Sequence, residues 1–350
     1  MCLVSFLVPV YNLKEAEVKT CISSIANQTV SDLEIIIVDD GSSNGIGEYC
    51  DKISSEFGAK VIHQQNQGLA VARNTGMKAA QGEWIVHVDG DDWVDNRLVE
   101  MLKEKSANSM ADIIVWGFIL DNGKKQQTLL LKNKTAFDAE YASIKENILC
   151  SILDYDDSFA DLSINTSWAK AYRHDFIKSH DLFYNPLLRR AQDAVYNLYA
   201  FSKASKVDYI DAALNIYRND NVSLSRGFNP KTFDYLLLTS KAVECYVNEY
   251  GVSQKVKDAS MVFIERCFRM INEQFYQHKD NKLPYCERKA AFLQGIETEP
   301  FRSAFTVAPQ RAGLINVIPD YLYKYKSFIG IAFFNKLFGI AYNIKKYFNK

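Results

Sequence analysis

The sequence lacks the long apolar run that a membrane-spanning helix requires. No uncharged apolar stretch in its 350 residues approaches the roughly 20 that such a helix takes. Near the start, Pro9 and Asn12 interrupt the first apolar segment too early for a signal peptide, and no basic region precedes it. These absences predict a cytoplasmic protein.

Three further absences narrow the class of protein. The formal net charge is −1, so there is no basic surplus of the kind that nucleic-acid-binding domains carry, and no nucleic-acid partner is expected. The seven cysteines show no Cys-x-x-Cys spacing, which predicts buried free thiols in a reducing compartment. No Gly-x-Gly-x-x-Gly follows the first predicted strand, and this excludes a dinucleotide-binding module.

What the sequence does contain is an alternation of apolar strands and amphipathic helices over residues 3–88. Strands are predicted at 3–10, 34–38, 60–63 and 83–88, with a helix in each interval. This alternation is typical of a largely parallel sheet with right-handed crossovers. We therefore predict an α/β fold.

The later part of the chain predicts fewer strands and more helix. A strand over 112–120 leads through an Asp-Asn-Gly turn into a second one over 127–131, and late strands are predicted at 207–210 and 214–218. From residue 232 to about 321 the pattern is mostly helical. The predicted divisions are a catalytic domain over 1–220, a helical extension over 221–320 and a basic tail over 321–350.

Carboxylates and a glycine crowd the end of the fourth predicted strand. Like charges at the tip of a buried strand are unfavourable unless a cation gathers them. The alternate pair Asp89 and Asp91 suits Mg²⁺ or Mn²⁺ shared with phosphate oxygens, and Gly90 between them leaves room for a ligand to approach the backbone. The alternative is an acidic loop that caps the next helix through Asp95.

Two other predicted strands also end in polar groups, at 9–12 (Pro-Val-Tyr-Asn) and 39–42 (Asp-Asp-Gly-Ser). The carboxyl ends of parallel strands meet at one edge of a sheet, and ligands of open α/β sheets bind there. The convergence of three polar strand tips predicts a ligand site at this edge.

Four ordered motifs, at 8–12, 38–42, 68–76 and 89–92, resemble the family 2 inverting glycosyltransferases with the GT-A fold. The resemblance covers roughly residues 3–220. It implies a mostly parallel, Rossmann-like sheet flanked by helices, with a helical extension at the C-terminus. It also implies transfer of a sugar from a nucleotide-sugar donor, probably a UDP-sugar, to a glycan or lipid-linked acceptor in bacterial surface polysaccharide synthesis.

On the donor side, the resemblance implies that Tyr11 lies against a uracil ring and that Asp40 accepts its N3–H. Arg73 would face the diphosphate. The alternatives are a core aromatic for Tyr11, a helix cap for Asp40 and a solvated charge or salt-bridge partner for Arg73. The implied donor-binding residues are Pro9, Tyr11, Asp40, Arg73, Asp89 and Gly90.

For the chemistry, the resemblance implies that Asp91 binds Mg²⁺ or Mn²⁺, with Asp89 on the metal or the ribose. Asp193 would be the base that deprotonates the acceptor hydroxyl, while its alternative role is to cap the following helix. The family usually has Glu-Asp where this chain has Gln192 and Asp193. One negative charge is therefore missing on the predicted acceptor side.

The acceptor side would also include Trp168 and Lys170, from a Trp-x-Lys-x-Tyr segment that resembles the family's acceptor elements. Sugars stack on aromatic rings, but a packing role is equally compatible with the sequence. His87 lies within an apolar strand, and a buried core histidine is the preferred interpretation over a metal ligand.

The tail, 321–350, contains six lysines and no acidic residue, interleaved with tyrosines and phenylalanines. Such a basic, aromatic-rich amphipathic segment is typical of a helix lying in a membrane interface, so peripheral contact with the inner face of the cell membrane is predicted. The alternative is a helix packed on the protein's own C-terminal bundle or on a partner.

Two other functions compete with glycosyl transfer. A nucleotidyltransferase has a similar sheet, but the segment after the first strand, 9–12, is not the Gly-rich basic loop that such enzymes carry. A degenerate member of the family could bind nucleotide-sugar or glycan as a scaffold. Gln192 favours that possibility, whereas the intact Asp91 and Asp193 favour an enzyme.

Overall fold

The computed structural model describes residues 3–153, 157–159, 161–219, 227–307 and 314–337. The chain forms two compact units, Met1–Ser223 and Leu224–Lys350. The first unit is α/β and the second is helical. The predicted fold class, a mostly parallel sheet flanked by helices with a helical C-terminal region, is confirmed.

The first unit is built on one nine-stranded sheet. The strands are β1 (Val4–Val10), β2 (Leu33–Asp39), β3 (Lys60–His63), β4 (Trp84–His87), β5 (Trp93–Val94), β6 (Ile113–Asp121), β7 (Gln126–Leu129), β8 (Lys170–Arg173) and β9 (Val207–Arg218). Their order in the sheet is β3-β2-β1-β4-β8-β6-β9-β5, with β7 paired to β6. The helices are α1 (Glu15–Ala26), α2 (Ile46–Phe57), α3 (Leu69–Ala79), α4 (Leu98–Ala107), α5 (Tyr141–Ile152), α6 (His174–Ser179) and α7 (Gln192–Lys203).

The first four strands are parallel neighbours, as the alternation predicts. On one face, alternate residues of β1, from Val4 to Val10, pack in a single core with apolar side chains of α1, α2 and α4. On the opposite face α3 approaches β1 closely, because a Cβ on Gly76 would already lie 3.4 Å from the Leu7 methyl groups. This double covering explains why β1 is apolar throughout.

Pro9 has no N–H to donate, and its place in the sheet makes this harmless. Val88 N donates to Leu7 O, 3.0 Å away, while Asp40 N donates to Val10 O from the other side. Residues two apart on a strand face the same neighbour, so Pro9, like Leu7, faces β4. The pairing of β1 with β4 has already ended there, because its last pair is Leu7 with His87. A proline is tolerated where the ladder has ended.

Two parts of the sheet differ from the prediction. Residues 170–173, where no strand is predicted, form β8, which is antiparallel to both β4 and β6. The two predicted late strands are one strand, β9, whose register against β6 shifts around Gly117. The interval between the two predicted strands, which contains Asp211, is thus a bulge beside Gly117. A Cβ on Gly117 would collide with the Leu129 carbonyl oxygen.

The second unit contains α8 (Thr232–Tyr250), α9 (Gln254–Ile271), α10 (Tyr285–Ile296), α11 (Phe301–Val307) and α12 (Leu314–Lys324), followed by a last helical segment that we call α13 (328–337). Its core is aromatic. The Phe268 ring lies 5.6 Å from Phe292 and 5.1 Å from Phe301, centroid to centroid. A cavity of 390 Å³ in this unit is lined by α10 and α13 side chains together with Glu273 and Gln277.

The six cysteines that the structure describes are all free, as predicted, and four of them are buried. Cys245 and Cys286 are exposed, so the prediction of burial is wrong for these two. Burial raises the pKa of the Cys50 thiol to about 12, so this thiol is unreactive at neutral pH. Cys2 lies outside the described residues. Within the described ranges, no helix has the length and apolar character needed to cross a bilayer.

His63 joins the end of β3 to two other elements through its ring nitrogens. Nδ1 lies 3.0 Å from Asp39 Oδ2 at the end of β2, and Nε2 lies 3.0 Å from Asp51 Oδ1 on α2. Hydrogen bonds to these two carboxylates raise the pKa of His63. The folded state therefore favours the imidazolium form of His63 more than the unfolded chain does.

We expect this bridge to make stability depend on pH. Because the folded pKa of His63 lies above its unfolded value of about 6.5, the bridge stabilises fully below that pH. The stabilisation is lost as the pH rises through the folded pKa. Urea unfolding of the wild type and His63→Gln over a pH series should show the largest difference in unfolding free energy at the acidic end. A difference that grows with pH would contradict the bridge.

Candidate active site

The candidate site lies at the edge where β1, β2 and β4 end. Tyr11 follows β1 and is 45% exposed, so its ring face is available to a ligand. The next residue ties this tip to that of β2, since Asn12 N donates to Ser42 Oγ (3.0 Å) and Asn12 Oδ1 accepts from Ser43 N (2.8 Å). Adjacent strands thus deliver both predicted donor motifs to one place.

Asp40, at the tip of β2, is buried and fixes the start of α3. Its Oδ1 accepts from Gln64 Nε2 (2.7 Å) and Gln67 N (2.9 Å), and its Oδ2 accepts from Gly68 N (2.7 Å). An ionised carboxylate has about four acceptor positions, so one remains on Oδ2 for a ligand N–H. Asp40 does not cap α2, since its three hydrogen bonds go to Gln64, Gln67 and Gly68 before α3.

The centre of the site is a buried arginine between two carboxylates. Arg73, on α3, is only 1% exposed. Its Nη1 donates to Asp193 Oδ1 at 2.5 Å, and its Nη2 donates to Asp89 Oδ1 at 2.7 Å. Burial disfavours the charge, but these carboxylates outweigh it and raise the pKa of Arg73. The salt-bridge alternative describes Arg73 better than direct exposure to a diphosphate.

Asp193 is held from a second direction by the loop before β8. Its Oδ2 accepts from Ser167 N at 3.2 Å. The ammonium of Lys170 organises that loop by donating to the carbonyls of Ser163, Thr166 and Trp168 at 2.6–2.8 Å. Asp193 is the second residue of α7 and does not cap it. The aspartate is thus presented by a folded loop and a buried arginine.

Tyr184 contacts two of these residues, Ser167 and Arg73. Its hydroxyl donates to Ser167 Oγ at 2.6 Å, and Arg73 lies over its ring at 5.5 Å. Asn74, next to Arg73 on α3, exchanges two 2.8 Å hydrogen bonds with the Tyr184 backbone. The ring also stacks on Tyr196 of α7, centroid to centroid 4.1 Å. α3 and α7 therefore meet across one tyrosine.

The three residues predicted for the acceptor side are all interior. Lys170 is 1% exposed, and its ammonium is occupied by the three carbonyls. Trp168 is buried, stacked on Tyr217 at 5.4 Å and edge-on to Phe118 at 4.9 Å. Gln192 is buried at the start of α7, directly after Ala191, whose φ of 48° is left-handed. An acceptor platform at these residues stays a prediction, and the packing alternative matches their contacts.

Gly90 has a packing reason to be glycine. A Cβ there would lie 2.7 Å from Leu13 Cδ1 and 3.0 Å from the Pro9 carbonyl oxygen. The space that we expected for a ligand is filled by protein atoms.

The two carboxylates after Gly90 differ in surroundings. Asp92 is buried and its Oδ1 accepts from Arg218 N (2.8 Å), whereas Asp91 is half-buried.

Asp89 and Asp91 are the carboxylates that the sequence predicts to hold a divalent cation. Burial, and after it the neighbouring Asp89, raise the pKa of Asp91 to about 6, while the charge of Arg218 opposes the shift. Among the described residues, no set of three or more His, Cys, Asp and Glu is arranged to hold a metal ion. Two carboxylates suffice for Mg²⁺ or Mn²⁺ when phosphate oxygens and water complete the coordination.

His87 is fully buried on β4, edge-on to Tyr184 at 5.6 Å, and neither ring nitrogen has a hydrogen-bond partner in the described part of the chain. Burial lowers the pKa of His87 well below its usual range. The predicted burial of His87 is confirmed, whereas the hydrogen bonds expected of a satisfied core histidine are not found among the described residues.

Sequence reasoning missed Arg189. This exposed arginine lies against Gly68 at the start of α3, where a Cβ would collide with its guanidinium and where φ is 89°. The φ of 89° is what requires glycine there, because the guanidinium is only the end of a flexible side chain. The cation lies beside the loop that Asp40 holds, whereas Arg73 is enclosed. The adjacent Arg189-Arg190 in the sequence was the available signal.

With this geometry established, similarity to known proteins identifies the family. The model described as Glycosyl transferase family 2 matches residues 5–180. A Bacillus subtilis protein, described as the uncharacterized glycosyltransferase EpsJ, is 33% identical over 269 residues, 75% of each chain. The chain belongs to glycosyl transferase family 2. The putative glycosyltransferase EpsH of the same organism is 31% identical over 270 residues, 75% of this chain and 74% of EpsH.

A solved structure supports the fold of this transferase. TarS residues 1–349 of S. aureus, in complex with UDP-GlcNAc, superimpose with a TM-score of 0.67 at 16% identity. The match covers 97% of this chain and 92% of that one. The predicted GT-A type of fold is thereby confirmed.

We expect Arg73→Lys to lower the free energy of unfolding of the transferase by about 2 kcal/mol, because a lysine cannot span two carboxylates with a planar fork. Urea denaturation would measure the loss.

The matched control is Arg97→Lys. Arg97 pairs with Asp95 at 2.9 Å on the surface, so we expect no measurable change in the free energy of unfolding. Equal effects of the two substitutions would show that the buried arrangement has no special importance.

Proposed function

We propose that this transferase moves a sugar, with inversion, from a UDP-sugar to a hydroxyl of a glycan or lipid-linked oligosaccharide in bacterial surface polysaccharide synthesis. The observation that carries the proposal is that Arg73 binds Asp89 and Asp193 with its two terminal nitrogens. A donor-side carboxylate and a candidate base are thereby held within the span of one guanidinium. Inverting transfer needs such a base opposite the leaving group.

In the proposed reaction, Asp193 removes the proton of the acceptor hydroxyl as its oxygen forms a bond to C1 of the sugar. The bond between C1 and the diphosphate oxygen breaks, and its electron pair leaves with the nucleoside diphosphate. Oδ1 of Asp193 is occupied by Arg73, while Oδ2 accepts a single 3.2 Å N–H from Ser167. Oδ2 is therefore the oxygen that we assign to proton removal.

For the donor, we assign the uracil to Tyr11 and to the remaining acceptor position of Asp40. UDP is favoured because the TarS structure of the same fold holds UDP-GlcNAc. We reassign the diphosphate contact from Arg73 to Arg189. Both terminal nitrogens of Arg73 are engaged by carboxylates. Arg189 is exposed and lies beside the N-terminus of α3, where backbone N–H groups also attract anions.

Asp91, with Asp89, would hold Mg²⁺ or Mn²⁺. When bound, this ion neutralises charge on the departing diphosphate. Asp89 would keep Oδ2 for the metal or the ribose, since its Oδ1 is bonded to Arg73.

The second candidate is a scaffold that binds nucleotide-sugar without transfer. Gln192 in place of the family's usual Glu is the observation that favours it. The engaged yet partly exposed Asp193, whose side chain is 19% accessible, favours catalysis.

The test is donor binding and hydrolysis across a panel of nucleotide sugars, with and without Mn²⁺, for the wild type and Asp193→Asn. We expect metal-dependent binding and turnover of a UDP-sugar. Asp193→Asn should bind that donor normally and lose at least about 100-fold in kcat, the usual contribution of a general base.

Asp91→Ala serves as the control for the metal, since it should remove the effect of Mn²⁺ on donor binding. Binding without any turnover in the wild type would favour the scaffold. Full activity of Asp193→Asn would overturn the assignment of the base.

We expect Arg189→Gln to weaken binding of UDP about tenfold or more, because a charge-assisted hydrogen bond contributes about 1.5–3 kcal/mol. Binding of uridine, which has no phosphates, should be unchanged. Isothermal titration with both ligands measures this, with Arg97→Gln as a matched loss of a surface arginine. Equal weakening of uridine binding would point to a structural role for Arg189.

A further inference from the structure

The last described helix, α13, has apolar side chains on two opposite faces. Phe328 and Ile331 are buried in the second unit, and the Phe328 ring lies 5.1 Å from Phe292. On the outer side, Ile329, Phe333 and Leu337 are 66%, 63% and 50% exposed. Residues four apart lie on the same side of a helix, so these three share one face. A surface helix of a soluble protein normally has a polar outer face.

Two exposed tyrosines precede α13 in the chain. Tyr321, on α12, and Tyr325, in the turn after it, are 60% and 63% exposed, and their ring centroids are 4.3 Å apart. We call the five side chains at positions 321, 325, 329, 333 and 337 the outer stripe. Single exposed apolar residues need no explanation, but five of them in one short segment indicate an interaction surface.

Charge determines which partner fits the outer stripe. Lys324 and Lys336 are exposed on the same segment, as is Lys326, whose ammonium pairs with Glu297. From residue 321 to the end the sequence has six lysines and no acidic residue, although the whole chain has a net charge of −1. Positive charge is thus concentrated beside the apolar side chains. A protein partner would need an apolar groove with an acidic rim, whereas an anionic lipid surface offers both features everywhere.

We propose that the outer stripe inserts into the interface of an anionic lipid membrane, with the lysines at the level of the phosphates. The aromatic rings of Tyr321 and Tyr325 suit this position because their hydroxyls stay in water while the rings enter the apolar layer. Apolar burial and lysine attraction both contribute, so binding depends on both lipid charge and the stripe.

The test uses the full chain and its sedimentation with two kinds of vesicle, phosphatidylcholine alone and phosphatidylcholine mixed with phosphatidylglycerol. We expect binding to the mixed vesicles, weakened by salt, and little binding to phosphatidylcholine. Ile329→Ser combined with Phe333→Ser should weaken binding about tenfold or more, since two large apolar side chains are lost. Lys324→Gln combined with Lys336→Gln should weaken it about tenfold through charge alone.

Met110→Ser is the matched control, because Met110 is 85% exposed in the first unit and lies outside the stripe. It should bind vesicles like the wild type. Circular dichroism checks that each variant is folded, and the lysine pair tests the proposal without altering the apolar face. Failure of the folded wild type to bind mixed vesicles would overturn the proposal. So would a dimer in sedimentation velocity that Ile329→Ser with Phe333→Ser dissociates while vesicle binding stays unchanged.

Discussion

A buried positive charge is the constraint on which the candidate site depends. The Arg73 guanidinium is enclosed on α3 and would be strongly unfavourable without compensating negative charge. Asp89 from the tip of β4 and Asp193 from α7 provide that charge at 2.7 and 2.5 Å. The same contacts that compensate the arginine fix the positions of the two carboxylates. Stability and the geometry of the candidate site are therefore coupled at one side chain.

The helix that carries Arg73 is itself set by the donor side of the site. Asp40 binds the backbone at the start of α3, and Asn74 binds the Tyr184 backbone further along it. A group at the uracil position and the base assigned to the acceptor are thus connected through one short helix. This connection gives a physical reason why the two halves of the site keep a fixed relation.

Much of the fold and part of the site could be predicted from sequence. The first four strands pair in parallel over long distances in sequence, yet each is visible locally as an apolar segment that ends in polar residues. Residues 34–38 before Asp39 are an example. β8 was missed because four residues with a central Ala-Tyr carry too little pattern. Its pairing with β4 and β6 is a tertiary effect. Lys170 shows the same limit, since no local signal tells that a lysine will be buried against three carbonyls.

The separation of Arg73 from Asp193 has a consequence for synthesis on the ribosome. The two residues are 120 positions apart, whereas Arg73 and Asp89 are separated by only 16. At translation rates of about 5–20 residues per second, Asp193 emerges roughly 6–24 s after Arg73. The nascent sheet of β1–β4 must hold its arginine during that interval with only one of its two counter-charges. Asp193 lies late in the first unit, so a chain that stalls before it leaves the arginine with only one of its two counter-charges.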